Sequence, residues 1–578
     1  MRRKTKILLI AFLVTSGSSF SFGQNNNPVL PGNFNQTVFG DNVFVFDPGM
    51  DMKEIQVLID TIFARQNARR SEFTRNRYAL LFKPGKYKLD VKLGYYMQVL
   101  GLGRSPEDVV ITGAVRSNTR GNSVLVNFWR GVENITIVPT ADSTMIWGVS
   151  QAAPMRRVHI KGNINLFDKG YASGGFLADS KIDGIINSGP QQQWLSRNCE
   201  WKKWIGSNWN MMFIGVQGAP TEIWPDKPYT AFDETPLVRE KPYLTIDEME
   251  FNVNVPKLKV NSSGPGWLNN VFDETTLRLN KFYIVKQGAD NSESINSALA
   301  KGKNLLFTPG IYTLDKPLKV TREGTVILGI GMPSLEPLNG NSVMEIADVD
   351  GVTIAGILLD AGYKRSELLM QVGEPGSVKT HAGNPSFLFD IFVRVGGPHE
   401  GSVKSCIVIN SRNVIVDHTW LWRADHGNGV GWDKNWCANG LVVNGDEVLI
   451  YGLFNEHNQE YQTLWNGNGG KVYFYQSEMP YDPPTADSWK HDGINGYASY
   501  KVSDNVKTHE AWGLGIYNVF YQAPVIVDNA IETPAALEDK IHNKMIFWLN
   551  GNKESVVKSI INGKGGGVSQ SVRKAVMK

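Results

Sequence analysis

The sequence predicts an all-β fold of two tandem parallel β-helices, each opened by a short capping helix. Three observations predict it: an internal duplication, bursts of β-branched residues recurring at coil-length spacing, and a composition rich in Gly, Asn and aromatics. That composition favours many short strands joined by turns over a helical protein. At 578 residues the chain is also too long for one ordinary domain.

Taken from the start, residues 1–23 read as an export signal. Arg2, Arg3, Lys4 and Lys6 form a basic start, residues 7–14 an apolar core, and small or polar residues lead to Gly23–Gln24. The apolar run is shorter than the roughly 20 residues of a membrane-spanning helix. An exported protein cleaved near Gly23–Gln24 is therefore expected, periplasmic or secreted. Its three cysteines, Cys199, Cys406 and Cys437, are an odd number without metal-ligand spacing. Free buried thiols are expected, with a Cys406–Cys437 bridge left open.

The duplication follows. Residues 80–90 read LLFKPGKYKLD and residues 305–315 read LLFTPGIYTLD; Val99–Gly103 is then echoed by Ile327–Gly331. Each copy begins with a strand-like burst, 42–46 or 281–285, and an amphipathic helical stretch, 52–65 or 292–300. Such a helix would cap the open end of an apolar bore. Strand bursts then recur every 20 to 35 residues or so, the span of one β-helix coil. The expected division is a first β-helix over 24–224, a connecting segment over 225–280, a second β-helix over 281–550 and a loosely packed tail over 551–578.

In the second copy, Glu456 and Glu478 lie 22 residues apart, each ending a β-prone run. On neighbouring coils, two such carboxylates point the same way. Cleaving a glycosidic bond requires a proton donor and a carboxylate that attacks or activates water. Tyr475, Met479, Pro480 and Tyr481 flank Glu478, an apolar setting that favours the protonated acid. Asn455, His457 and Asn458 around Glu456 suggest a polar setting that keeps it ionised.

Sugar pockets also present flat aromatic faces. Seven of the 16 tryptophans fall within 420–512. Trp420 and Trp422 share one strand face and read as core, whereas Trp432, Trp436 and Trp465 read as lying in Gly/Asn-rich loops and as sugar platforms. His457, Asp425, His426 and His491 are candidate contacts to sugar hydroxyls, since their irregular spacing draws no metal ligand set.

The net charge of +3 and the scattered Lys and Arg exclude a nucleic-acid stripe. One Lys and no Arg within 445–485 count against an acidic-polysaccharide lyase. No cofactor or metal is expected; the expected partner is a polysaccharide or oligosaccharide, the chain being a monomer without a membrane span.

The Phe-Lys/Thr-Pro-Gly-x-Tyr signature is similar to the first coils of pectate-lyase-like helices. Residues 150–204 and 420–517 resemble glycoside hydrolase family 55, the exo-acting β-1,3-glucanases, over nearly all of the mature chain. The resemblance implies two right-handed β-helices side by side with the pocket where they meet. It implies Glu478 as general acid with Tyr481 beside it, and Glu456 as the residue that orients or deprotonates water. Gln151, Gln192 and Ser196 are the candidates for the first helix's contribution. A neutral glucan cleaved with inversion is thus expected. A glycosidase of other linkage specificity, a lyase and a non-catalytic glycan-binding β-helix are the alternatives.

Overall fold

A computed structural model describes residues 38–578; the export signal read at 1–23 lies outside them. The chain coils as two parallel β-helices. The first stacks β1 (Val43–Phe46), β2 (Tyr78–Phe82), β3 (Met97–Gly101), β4 (Arg130–Pro139), β5 (Met155–Ile160), β6 (Phe176–Ala178), β7 (Gln193–Arg197), β8 (Asn210–Ile214) and β9 (Tyr229–Phe232). The second stacks β10 (Phe282–Val285), β11 (Asn304–Phe307), β12 (Val326–Gly329), β13 (Thr353–Ala355), β14 (Phe387–Val395), β15 (Ile415–Arg423), β16 (Leu449–Glu456), β17 (Gly470–Glu478), β18 (His509–Phe520) and β19 (Ile541–Gly551). Every neighbouring pair along each stack is parallel. Each strand therefore repeats the side-chain orientation of the one before it.

The duplicated motif lands at equivalent places. β1 pairs with β2 as β10 pairs with β11. Helix α1 (Met52–Gln66) precedes β2 and helix α2 (Ser292–Ala300) precedes β11. The Asp51 and Asn291 side chains cap their N-termini, satisfying backbone N–H groups that the first turn leaves open. The helices bury Ile55, Leu58, Ile59 and Ile62, and Ile295, Ala298 and Leu299, respectively.

A second parallel sheet closes the later bore, from Leu318–Val320 through Cys437–Val443 and Thr463–Trp465 to Ile531–Glu532. Beside it Asn410, Asn444, Asn466 and Ser503 form a ladder. The Asn444 and Asn466 amides each donate to the preceding rung's carbonyl at 2.8 Å, and Ser503 Oγ donates to Asn466 at 2.5 Å. Cys406 and Cys437 are stacked thiols, Sγ to Sγ 3.6 Å and unbonded; Cys199 is also free.

Residues 225–280 are folded throughout. β9 extends the first stack, and an antiparallel sheet of Tyr243–Asp247, Glu250–Pro256 and Glu274–Arg278 follows. The tail is more tightly held than the Gly-rich run at 563–567 suggests. Ile560, Ile561 and Val568 are buried, and β20 (Lys574–Met577) pairs antiparallel with β19.

The stacks meet along a seam that is ionic at one level and aromatic at another. Arg156 on β5 grips Asp390 with Nε and Nη2 (2.9 and 2.8 Å) and Asp417 with Nη1 (2.8 Å). Arg197 on β7 joins the same Asp417 to Asp179. All five side chains are buried, so each charge depends on its partners for the solvation that water would give. Close approach is built in at Gly452 (φ 74°), where a β-carbon would stand 3.0 Å from Leu195 of the first stack.

Candidate active site

Strand register places the two glutamates. Glu456 on β16 is paired directly with Glu478 on β17. The same position is Trp422 one rung earlier, then Tyr517 and Phe547 on the two rungs after. A column of Trp, Glu, Glu, Tyr and Phe thus runs along the seam, its carboxylates bracketed by rings. Both glutamates line a cavity of about 960 Å³ between the two stacks.

The walls come from both halves of the chain. Leu125, Val126, Phe128, Gln151, Ser173, Gln192 and Trp209 are the first stack's contribution; Trp420, Trp422, Asp425, His426, His457 and Tyr481 come from the second. Trp420 stacks on Trp422 at 5.1 Å, and Phe128 meets Trp420 at 4.6 Å. These tryptophans, read from sequence as core, are indeed 1% exposed, yet they line the cavity. In a two-solenoid protein a buried strand face can belong to the seam as well as to the bore.

The two carboxyls that register brings together have different hydrogen-bond donors. Glu456 accepts from Trp420 Nε1 at 2.7 Å and from Gln151 Nε2 at 2.9 Å. Gln151 Oε1 in turn accepts from Ser173 Oγ at 3.0 Å. Glu478 accepts from the Tyr481 hydroxyl and, at 3.5 Å, from Gln476 Nε2. The His457 ring packs edge-on against Tyr481 at 4.3 Å. Arg423 fixes the loop carrying Tyr481 by a two-pronged grip on Asp482 at 2.8 and 2.9 Å.

Burial raises both carboxyls, each to about 7, and they titrate as a pair. For Glu456 the polar surroundings expected from its sequence neighbours do not prevent this: it is 2% exposed. What distinguishes the pair is donors. The Trp420 and Gln151 N–H groups work against burial by favouring the Glu456 anion, whereas the Glu456 charge adds to burial in keeping Glu478 protonated. At the rim His426 sits between Asp425 (2.8 Å) and Glu72 (2.6 Å). Burial opposes its charge, but these two acids prevail and raise it to about 10, leaving a fixed cation.

Other sequence candidates lie elsewhere. Trp465 is fully buried in the second bore, its indole donating to Gly467 O at 3.0 Å. It ends a strand of the closing sheet, so its Gly/Asn-rich surroundings did not make it a platform. Ser196 is buried and outside the cavity lining. Its strand neighbours Leu195 and Arg197 face the seam, so alternation turns Ser196 into the first bore. Trp436 lies beneath Arg365 at 4.2 Å, and His491 stacks on Tyr497 at 4.5 Å, both away from the cavity. Trp432 lines an adjoining groove shared with Asp425, His457 and Tyr481.

Sequence reasoning missed Phe128, Ser173, Trp209, Tyr521, Phe547, Trp548 and Arg573, all of which line the cavity. Only Ser173, in the glycine-rich run before β6, lies within residues 150–204, which carry the family resemblance.

The LAM55 pectate lyase-like domain matches residues 283–478. An exo-beta-1,3-glucanase from Streptomyces sp. (strain SirexAA-E / ActE) is 44% identical over 519 residues, 89% of this chain and 85% of that protein. The structure of sacteLam55A from Streptomyces sp. SirexAA-E superposes with a TM-score of 0.90 at 42% identity, over 93% of this chain and 98% of that one. A glutamate-to-alanine variant of sacteLam55A in complex with glucose matches as well, at 41% identity over 94% and 98%, with the same score. Sequence and fold agree along almost the whole chain, which therefore belongs to glycoside hydrolase family 55, the LAM55 pectate-lyase-like glucanase family.

Proposed function

We propose that the protein hydrolyses β-1,3-glucan from a chain end, with Glu478 as general acid and Glu456 as the base that activates water. The observation that carries this reading is the in-register pair of raised carboxyls lining one aromatic cavity. The substrate class and the exo action rest on the relative's activity.

Glu478 gives its proton to the glycosidic oxygen as the bond to C1 breaks. Glu456 takes a proton from the water whose oxygen attacks C1 from the opposite face, so the configuration inverts. Gln151 and Ser173 hold Glu456 in its ionised form and orient it. Neighbouring strands set the two α-carbons only about 4.8 Å apart. Inversion needs a carboxyl separation of about 6.5–9.5 Å with water between, so the side chains would splay from that spacing, Glu456 held by Trp420 and Gln151 and Glu478 by Tyr481. The tryptophan and phenylalanine faces take the apolar faces of the sugar ring.

Export is part of the same proposal, supported by the basic start and apolar core of residues 1–23. Among the described residues no helix is long and apolar enough to cross a membrane.

Digestion of laminarin beside a panel of other glucans tests the reading. Glucose as the sole early product, released as the α-anomer in proton NMR, is the expected result. Equal cutting of β-1,4- or α-linked glucans, or a ladder of oligomers, would overturn it.

A further inference from the structure

One rung position of the second stack is left-handed through five successive strands. Asp390, His418, Gly452, Phe474 and Gly513 occupy it in β14 to β18, with φ between 50° and 74°. Residues other than glycine rarely take this conformation, although Asp and His do so more readily than most. The first two side chains of this column reach across the seam. Asp390 meets Arg156, as described above, and His418 meets the backbone of Gln151.

His418 is fully buried and outside the cavity lining, so it cannot touch a sugar. Its ring stacks on Phe176 of the first stack at 4.5 Å and meets Phe392 edge-on at 5.3 Å. Nδ1 lies 2.8 Å from Asp390 Oδ1, and Nε2 lies 3.3 Å from Gln151 O. Both partners are atoms that only accept, which fits a ring donating at both ends. Gln151 is itself left-handed, with φ 33°, and its carbonyl also accepts from Ala153 N at 2.8 Å. From that pinned backbone its amide reaches Glu456. An unbroken chain, Asp390 to His418 to Gln151 to Glu456, thus joins the ionic level of the seam to the cavity.

We propose that His418 is a positioning residue: it holds the Gln151 backbone in its left-handed turn and thereby aims the Gln151 amide at Glu456. An unusual backbone conformation persists only where its surroundings fix it, and His418 supplies that fixing from the opposite stack. The inference rests on Glu456 as the base and adds the residue that sets the base's orienting partner. Histidine suits the task because a flat ring packs on Phe176 while its two nitrogens reach in different directions.

The test is a double-mutant cycle on laminarin, with His418→Phe, His418→Asn, Gln151→Ala and the two double variants. Phenylalanine keeps the ring packing and removes both nitrogens. Asparagine suits the left-handed backbone and can still meet Asp390, but it is too short to reach Gln151, which keeps the test open should the phenylalanine variant not fold. Each His418 variant should lower kcat about tenfold with KM little changed. In the Gln151→Ala background the same substitutions should cost less than about twofold more, because the group they act through is gone. Equal losses in both backgrounds would mark a merely structural role and overturn the assignment, as would an unchanged kcat or a loss carried by KM. If the unaltered protein does not hydrolyse laminarin, it is the glucanase reading that fails, and this inference falls with it.

Discussion

Gln151 of the first stack donates to Glu456 of the second at 2.9 Å, bridging 305 positions of sequence. Glu456 therefore takes its orientation from a residue outside its own coil. Gln151→Ala should lower kcat about 100-fold, in line with general base catalysis, and leave KM much less affected. Steady-state kinetics on laminarin would check this, and parallel losses in kcat and KM would count against the orienting role.

Activity should depend on pH through the raised pair. With Glu478 as the proposed acid and Glu456 as the proposed base, the working state needs one proton on Glu478 and none on Glu456. Rising pH removes the acid's proton, so kcat/KM should fall as pH climbs through about 7. The acid limb reports protonation of Glu456. Trp420→Phe removes a donor to its anion and should move that limb to higher pH, whereas an unmoved limb would dissociate Trp420 from the titration.

The same pair should weaken the fold at high pH. Both carboxyls have folded values near 7 against an ordinary 4.5, so the native state binds more protons than the unfolded chain between those values. Stability from the pair is then present at low pH and lost as pH rises toward 7. Glu478→Gln should abolish hydrolysis yet melt a few degrees higher than the unaltered protein at pH 8, by roughly 1–3 kcal/mol. Calorimetry at pH 5 and pH 8 checks it: the gain should shrink at the lower pH.

At the ionic level of the seam, Arg156→Met leaves Asp390 and Asp417 short of a buried cation. Breaking a buried pair from one side costs about 3–5 kcal/mol. The variant should unfold at markedly lower denaturant, whereas Lys404→Met, removing an exposed partner of Glu367, should shift it by less than about 1 kcal/mol. Equal shifts would show that the seam does not depend on its charges.

Local features were the legible ones. The Pro-Gly repeat located both solenoid starts, and a 22-residue spacing fits Glu456 and Glu478 to one register position because a coil repeats its own geometry. Contacts across the seam were not legible, since nothing in the spacing of Gln151 or Phe128 relates them to residues some 300 positions on. Trp420, Trp422 and Trp465 illustrate the difficulty. All three are buried strand tryptophans, and only the packing of one solenoid on the other decides which faces the cavity and which the bore.

Because the lining is split between two homologous halves while both glutamates sit on one, the two halves can be recombined to vary the cavity wall around a fixed pair. Grafting the amino-terminal half of a relative onto this carboxyl-terminal half would exchange Phe128, Gln192 and Trp209 for foreign counterparts and keep Glu456 and Glu478 together, provided the graft retains Gln151 and Ser173, whose hydrogen bonds reach Glu456 across the seam. Chimeras joined within 225–280 that keep those two residues would therefore diversify the sugars accepted while preserving the hydrogen bonds that orient Glu456.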